Sequence, residues 1–331
     1  MSAKPQDTEF LLLLEPHRRA ITSHCYRMLG SLHDAEDVTQ EILIRAWQRL
    51  AEVKALTSTR AWLYKIATNM CLDVLKSRRR RTLPYLLAPA ADPAAPLGPP
   101  LHEELWIEPA PDTLDDDTQG PEAQASLRES ISLAFITALQ CLPAKQRAVL
   151  LLIDVLEWKP PEVAELLGTS VASVNSLLQR ARAGVDKRTA NSASPSQTSR
   201  SEEELLLRRY IETWQSGDLA GFTALLAEDA TLSMPPVAQW FAGRDHIGRF
   251  LATVLPQWPT QYRLVPLRAN GTAAVAVYRQ STVGGPHDAA ALTLVRVRDG
   301  RIVELIRFAT PYLFRSFGLP EQLPVGASVP S

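Results

Sequence analysis

The sequence predicts a multidomain chain: two all-α modules, a helical bundle and a helix-turn-helix, joined by an acidic linker and followed by an α+β domain. Three observations predict it. First, the 331 residues have a net charge of only −1, yet the charge is segregated. Residues 1–82 hold fourteen Lys and Arg against nine Asp and Glu, 83–126 hold none against nine, and 127–190 hold eight against six. Second, apolar residues keep helical spacing on both sides of the acidic stretch. Third, after Ser201 two helical patterns give way to strand-like runs, "TAAVAVYRQS", "AALTLVRVRDG" and "RIVELIRFAT", with Asp299-Gly300 as a hairpin signal. Helices followed by such runs argue for an antiparallel sheet in an α+β domain.

The first module, residues 10–82, contains two telling helices. In "HDAEDVTQEILIRAWQRL", Val38, Ile42, Ala46 and Leu50 share one face, and Asp34, Asp37 and Glu41 another. An acidic stripe in a basic module repels DNA and suits a basic protein partner. In the helix from Arg60, Leu63, Ile66, Ala67, Met70 and Val74 form the expected buried stripe, while Trp62, Lys65, Asn69, Asp73 and Lys76 line another side. Aromatic and amide groups interleaved with cations suit a splayed single strand, because bases stack on rings while cations neutralise phosphates. The basic run that closes the helix adds a dense phosphate-binding end.

Residues 83–126 are rich in Pro, Ala and Asp without apolar periodicity, which reads as an extended linker. In the second module, 127–190, Leu127, Ile131, Ala134, Ala138 and Leu142 keep helical spacing, and Pro143 suits the first position of the next helix. Ala164, Gly168 and Val174 then have helix-turn-helix spacing: a small residue at the crossing, Gly for the turn, a branched residue to lock the second helix. Val171, Val174, Leu178, Ala181 and Val185 fall on the side to be buried. Ser173, Asn175, Ser176, Gln179, Arg180 and Lys187 lie towards the other, short polar groups for base edges and cations for phosphates. A second linker, 191–200, leads to the α+β domain, 201–331.

Cys25, Cys71 and Cys141 each sit in an apolar helical pattern, which predicts buried thiols rather than a disulfide framework or a metal site. No apolar run reaches bilayer length, and the chain reads as cytoplasmic, without a membrane partner or a cofactor. The candidate catalytic groups of the last domain, Asp218, Asp229, Asp245, His246, Tyr262, Tyr278, His287 and Asp288, have no spacing that makes a site; His287 in "GGPHD" reads as a solvated loop residue.

Taken in order, "DAEDVTQEILIRAW", "RAWLYKIATNMCLDVL" and "LPAKQRAVLLLIDVLEWKPPEVAELLGTSVASVNSLLQRARA" closely resemble a bacterial extracytoplasmic-function sigma factor of the sigma-70 superfamily. The "WIEPAPD" of the linker and the C-terminal extension resemble the subgroup with a SnoaL-like domain. The resemblance implies a transcription initiation factor without catalysis of its own, whose partners are core RNA polymerase, through the β′ clamp helices and β, and promoter DNA. Asp34, Asp37, Val38, Thr39, Gln40 and Glu41 would bind the polymerase. Arg60, Trp62, Lys65, Asn69, Lys76, Arg78, Arg79, Arg80 and Arg81 would engage the −10 element, where a base flips from the stack into a protein pocket. Ser173, Asn175, Ser176, Gln179, Arg180 and Lys187 would read the −35 element, although Asn175 and Leu177 stand where many members carry Lys or Arg. The acidic linker would thread towards the polymerase catalytic channel. The last domain would be a cone like those of polyketide cyclases and ketosteroid isomerase, acting in cis on the sigma regions, with a small molecule or an anti-sigma protein as regulator. Two other readings are a helix-turn-helix repressor with a ligand-sensing domain, and a sigma factor whose cone is a working isomerase or cyclase.

Overall fold

Helix α1 (Arg18–Leu29) stops at Gly30, whose φ of +71° is a left-handed cap and whose Cβ, if present, would collide with the Gln140 side chain. Helix α2 (Leu32–Gln48) starts on the Ser31 hydroxyl, which accepts from the Asp34 N–H at 3.1 Å. Helix α3 (Thr59–Ser77) crosses both. The computed structural model describes residues 12–49, 58–77, 80–102, 105–114, 132–189, 199–255, 261–280, 282 and 284–325. Ile21, Cys25, Met28, Ile42, Ala46, Leu63 and Cys71 are wholly buried. The buried side of α3 is turned relative to the expected stripe: Tyr64, Thr68 and Cys71 are inside, whereas Ile66, Met70 and Val74 are half-buried. His24 explains the turn, because it bonds the Thr68 hydroxyl at 2.9 Å and meets the Tyr64 ring edge-on at 5.3 Å.

Four further helices follow: α4 (Leu133–Gln140), α5 (Ala144–Leu150, continued by a π turn over Leu151–Val155), α6 (Pro160–Leu167) and α7 (Val171–Thr189). Pro143 caps α5 rather than starting it. Of the expected stripe, Ala138 and Leu142 are buried and Ala134 is exposed, while Leu127 and Ile131 lie outside the described residues. Leu133, Ile136 and Leu139 take the buried face instead. Arg147 on α5 ties these helices to the first three: it donates to the Met28 carbonyl, to Gln140 Oε1 at 2.5 Å and to the Leu142 carbonyl at 3.2 Å. Burial and the neighbouring Arg80 pull its pKa down to about 9, so it is still charged at neutral pH.

The last domain begins with α8 (Arg200–Ser216) and α9 (Leu219–Leu225). Then come β1 (Leu226–Ser233), β2 (Trp240–Ala242), α10 (Arg244–Val254), β3 (Tyr262–Ala269), β4 (Thr272–Gln280), β5 (His287–Arg298), β6 (Arg301–Phe308) and β7 (Gln322–Leu323). The strands form one sheet in the order β2-β1-β6-β5-β4-β3, with β7 paired to β5. The expected antiparallel sheet is corrected to a mixed one, since β1 runs parallel to β6. Asp299 and Gly300, at φ +52° and +68°, make the predicted β5–β6 turn, and Asn270-Gly271 makes its counterpart between β3 and β4. One sheet face packs Val275, Val295 and Leu305 beneath Tyr210, Phe222 and Phe250 of the helices. On the other, Tyr278 meets Phe314 of a 3₁₀ turn, Pro311–Phe317, at 5.1 Å. His287 is not in a solvated loop: it opens β5 and is buried, paired with Gln280 and Leu323.

The chain divides into two compact units that alternate along the sequence, Met1–Arg81 with Asp112–Ser192, and Thr82–Pro111 with Ala193–Ser331. The first part of the acidic linker therefore belongs with the α+β domain. Its backbone is irregular, as expected, but it is packed. Leu83, Trp106, Ile107 and Ala110 are buried, and the Thr82 N–H and carbonyl bond Leu105 and Ile107 at 2.9 and 3.0 Å, closing a loop. Residues 115–131 lie outside the described residues.

Candidate nucleic-acid interface

On α2, Asp37, Gln40 and Glu41 are exposed; Asp37 lies 3.7 Å from His33 and Glu41 accepts from Arg45 at 2.5 Å. Asp34 does not join that edge. It is 6 % exposed and holds Arg81 at 2.7 Å, so the acidic stripe is corrected to Asp37 and Glu41. Helical spacing gives the side of a residue but not what folds over its end of the helix, and here the chain at Arg81 does. Val38 and Thr39 are buried as well, the Thr39 hydroxyl donating to the Ala35 carbonyl at 2.7 Å, so neither presents a side chain outward. Sequence reading missed Ile44 and Trp47, which are 47 % and 42 % exposed on the same outer side. Their signal was there: two large apolar residues off the Val38–Ile42–Ala46 stripe.

On α3, Arg60, Lys65, Asn69 and Lys76 are exposed and Trp62 is half-buried. The Arg60 guanidinium lies 5.6 Å from the centre of the Tyr64 ring, a cation–π contact that holds it near the helix start. Lys76 is engaged with Asp73 at 2.7 Å. A groove of about 440 Å³ is lined by Arg60, Trp62 and Lys65 together with Glu157, Glu162 and Glu165, so the cationic side of α3 faces carboxylates of the α6 segment. Arg78 and Arg79 lie outside the described residues. Arg80 is exposed, whereas Arg81 is buried against Asp34 and is corrected from a DNA-facing cation to part of the core.

On α7, Asn175, Ser176, Gln179, Arg180 and Lys187 are exposed and Ser173 is half-buried. Val174, Leu178 and Ala181 are buried, Val185 is half-buried, and Val171, expected inside, is 39 % exposed. Val171 is the first residue of the helix and lies before the turn that meets α6. Gly168, at φ +60°, makes the turn, and Ser170 caps α7 by accepting from the Ser173 N–H at 3.2 Å. Arg182 is committed to Asp154 at 2.6 Å. The free polar side of α7 has the size and chemistry for a major groove.

In the α+β domain the groups put forward as catalytic are dispersed. Asp218 caps α9 through the Gly221 N–H at 2.8 Å. Asp229 is paired with Arg298 at 2.8 Å, which holds its carboxyl below the usual range. Asp245 and His246 are exposed in the first turn of α10, Asp288 accepts from Gln322, and the Tyr278 hydroxyl donates to the Pro320 carbonyl at 2.9 Å. Tyr262 alone lines the cavity on the helix-covered side of the sheet, with Asp218 at its edge.

Comparison with known proteins agrees with this geometry. Three family descriptions match in order: "Sigma-70 region 2" over residues 13–81, "Sigma-70, region 4" over 132–183 and "SnoaL-like domain" over 207–305. The ECF RNA polymerase sigma factor SigG of Mycobacterium tuberculosis is 42 % identical over 318 residues, covering 95 % of this chain and 85 % of SigG. SigJ of the same organism, also an ECF RNA polymerase sigma factor, is 27 % identical over 93 % of this chain and 94 % of SigJ. The crystal structure of M. tuberculosis SigJ has the same fold, with a TM-score of 0.59 at 23 % identity over 94 % of this chain and 99 % of that one.

Proposed function

This chain belongs to the extracytoplasmic-function sigma factors of the sigma-70 family, in the group with a C-terminal SnoaL-like domain, and from that premise we propose that it binds core RNA polymerase and opens promoters in the cytoplasm. Residues 10–82 act as region 2 and 127–190 as region 4, connected by 83–126; residues 191–200 lead to the cone, 201–331. The observation that carries the reading is a pair of exposed polar faces, Arg60–Lys65–Asn69 on α3 and Asn175–Ser176–Gln179–Arg180 on α7, each on a helix whose other side is buried. The first captures the melted −10 strand, stacking bases at Trp62, and the second reads the −35 duplex. The outer edge of α2, Asp37, Gln40 and Glu41 with Ile44 and Trp47, docks on the clamp helices of β′, apolar area supplying affinity and the carboxylates steering. A contact with β accompanies region 4. The activity is binding and strand capture, with no covalent step of the chain's own.

The cone acts in cis on the connection between the two DNA-reading regions. What supports this is the hold of the cone on residues 88–110: Trp240 Nε1 donates to the Ala88 carbonyl at 2.7 Å, the Leu101 N–H to Pro236 at 2.8 Å, and Asn270 exchanges two bonds with Ala110 at 2.9 and 3.0 Å. A small molecule in the cone or an anti-sigma protein on the helical unit would shift that hold.

Run-off transcription with purified bacterial core polymerase and a library of random promoters tests the reading. The full chain should start transcripts at sites sharing a −10 and a −35 pattern, and Trp62→Ala should lower open-complex formation by about tenfold, the worth of one stacked base. Specific DNA binding without polymerase, and no initiation with it, would replace this reading by a repressor.

A further inference from the structure

Inside the cone, five side chains converge on the helix-covered face of the sheet: Tyr210 and Trp214 of α8, Tyr262 of β3, Thr293 of β5 and Arg307 of β6. Thr293 and Arg307 are cross-strand partners, and Thr293 shares its side of β5 with the core residues Ala291 and Val295. Trp214 lies 5.8 Å from the Tyr262 ring and 6.2 Å from that of Tyr210. The polar atoms here are unpaired. Trp214 Nε1, Tyr262 Oη and Thr293 Oγ1 are shut off from solvent without a hydrogen-bond partner, and Thr293 is 2 % exposed. Arg307 makes no ion pair among the described residues; burial pulls its pKa down, and the groups acting on it are Tyr210, Tyr262 and the like charge of Arg279. Unpaired buried donors each cost on the order of 1–3 kcal/mol, so such a group is a standing demand for an acceptor.

Every member can donate, and two of them, the indole and the guanidinium, can only donate. A carboxylate offers about four acceptor sites and a negative charge, which a single water cannot match. Beside them lies a cavity of about 370 Å³, to which Trp214 and Tyr262 present their rings along with Phe222, Leu219, Leu251 and Leu255. We propose that the cone binds a small amphipathic carboxylate, its acid group among Trp214, Tyr262, Thr293 and Arg307 and its apolar body in this cavity. The ring faces of Trp214 and Tyr262 join the two halves of the site. No carboxylate of the chain reaches the donors; Asp218, at the cavity edge, is held by its own helix cap.

Calorimetric titration of the full chain, without polymerase or DNA, tests this independently of promoter activity. The probes are naphthalene-1-carboxylate and decanoate, each against its neutral alcohol. Both acids, or the one whose body fits, should bind at least about tenfold more tightly than the matched alcohol, the scale of a charged hydrogen-bonded contact. Arg307→Met should erase that preference while leaving the alcohol unchanged. Thr293→Val, which removes an unpaired hydroxyl and keeps the side-chain shape, should fold at least as stably and bind the acid several-fold more weakly. Equal binding of acid and alcohol, no binding of any probe, or a preference that survives both substitutions would overturn the proposal; equal binding would leave ordered water as the filler of the polar group.

Discussion

His24 lies in the core of α1–α3 with a ring nitrogen 2.9 Å from the Thr68 hydroxyl and Tyr64 against its ring. Burial, with Arg27 adding to it, holds its pKa at about 3, so the folded chain keeps it neutral. The unfolded chain binds a proton there below about pH 6.5, and the folded one does not until about pH 3. Its contribution to stability is therefore complete above pH 6.5 and lost as pH falls towards 3, a drop on the order of a few kcal/mol. His24→Gln keeps a partner for Thr68 and removes the titration. Urea midpoints at pH 7.5 and 4.5 should fall much less in the variant than in the parent; equal falls would assign the acid sensitivity elsewhere. At this scale the sequence was legible where a constraint is local. Gly168 and Val174 could be read because a left-handed turn and a helix crossing are set within a dozen residues. Asp34 could not, because the residue that buries it, Arg81, is 47 positions away.

Helix α3 carries both kinds of cation, and burial separates them. Arg60 and Lys65 are exposed, so removing either should leave stability within about 0.5 kcal/mol and weaken promoter opening. Arg81, just beyond the helix, forms a buried pair with Asp34 at 2.7 Å. Breaking that pair strands a charge in the core, and Asp34→Ala or Arg81→Ala alone should cost about 3–5 kcal/mol. The double replacement Asp34→Leu with Arg81→Met should recover most of the loss, since an apolar pair of similar volume replaces two desolvated ions. Denaturant unfolding of the four proteins measures the coupling; additive losses would mean that the pair is not a unit. The element-level reading succeeded for the helix itself and failed for its buried side by about one position, because His24 draws Tyr64 and Thr68 inward and no periodicity within α3 encodes His24. In the sheet, β4 to β6 were legible from alternating apolar residues and the Asp299-Gly300 turn. β1 to β3 were not, although Asn270-Gly271 carried an equally good turn signal.

At the scale of the whole molecule, composition gave the number of modules and misread what the linker does. A stretch with nine carboxylates, no cations and no apolar period looks like a free strap, and its partners lie 141 to 204 positions ahead, beyond any local pattern. Those partners come from the cone: Gln239 and Trp240 around β2, Asn270 in the β3–β4 turn and Tyr312 on Glu108 at 3.0 Å. The arrangement predicts that two substitutions free the connection without touching either core. Asn270→Gly keeps the positive φ that this turn requires, +52°, and deletes the side-chain acceptor for the Ala110 N–H. Trp240→Phe keeps a ring and deletes the donor to the Ala88 carbonyl. Each lost bond is worth about 1 kcal/mol, roughly fivefold in local opening, so amide exchange across residues 88–110 should quicken by up to about 25-fold in the double variant. Exchange in β4, at the centre of the buried sheet, should stay as it was. Unchanged exchange in the connection would mean that Leu83, Trp106 and Ile107 hold it by burial alone; faster exchange in β4 as well would mean that the connection and the cone unfold as one unit, and that a ligand could release the first only by loosening the second.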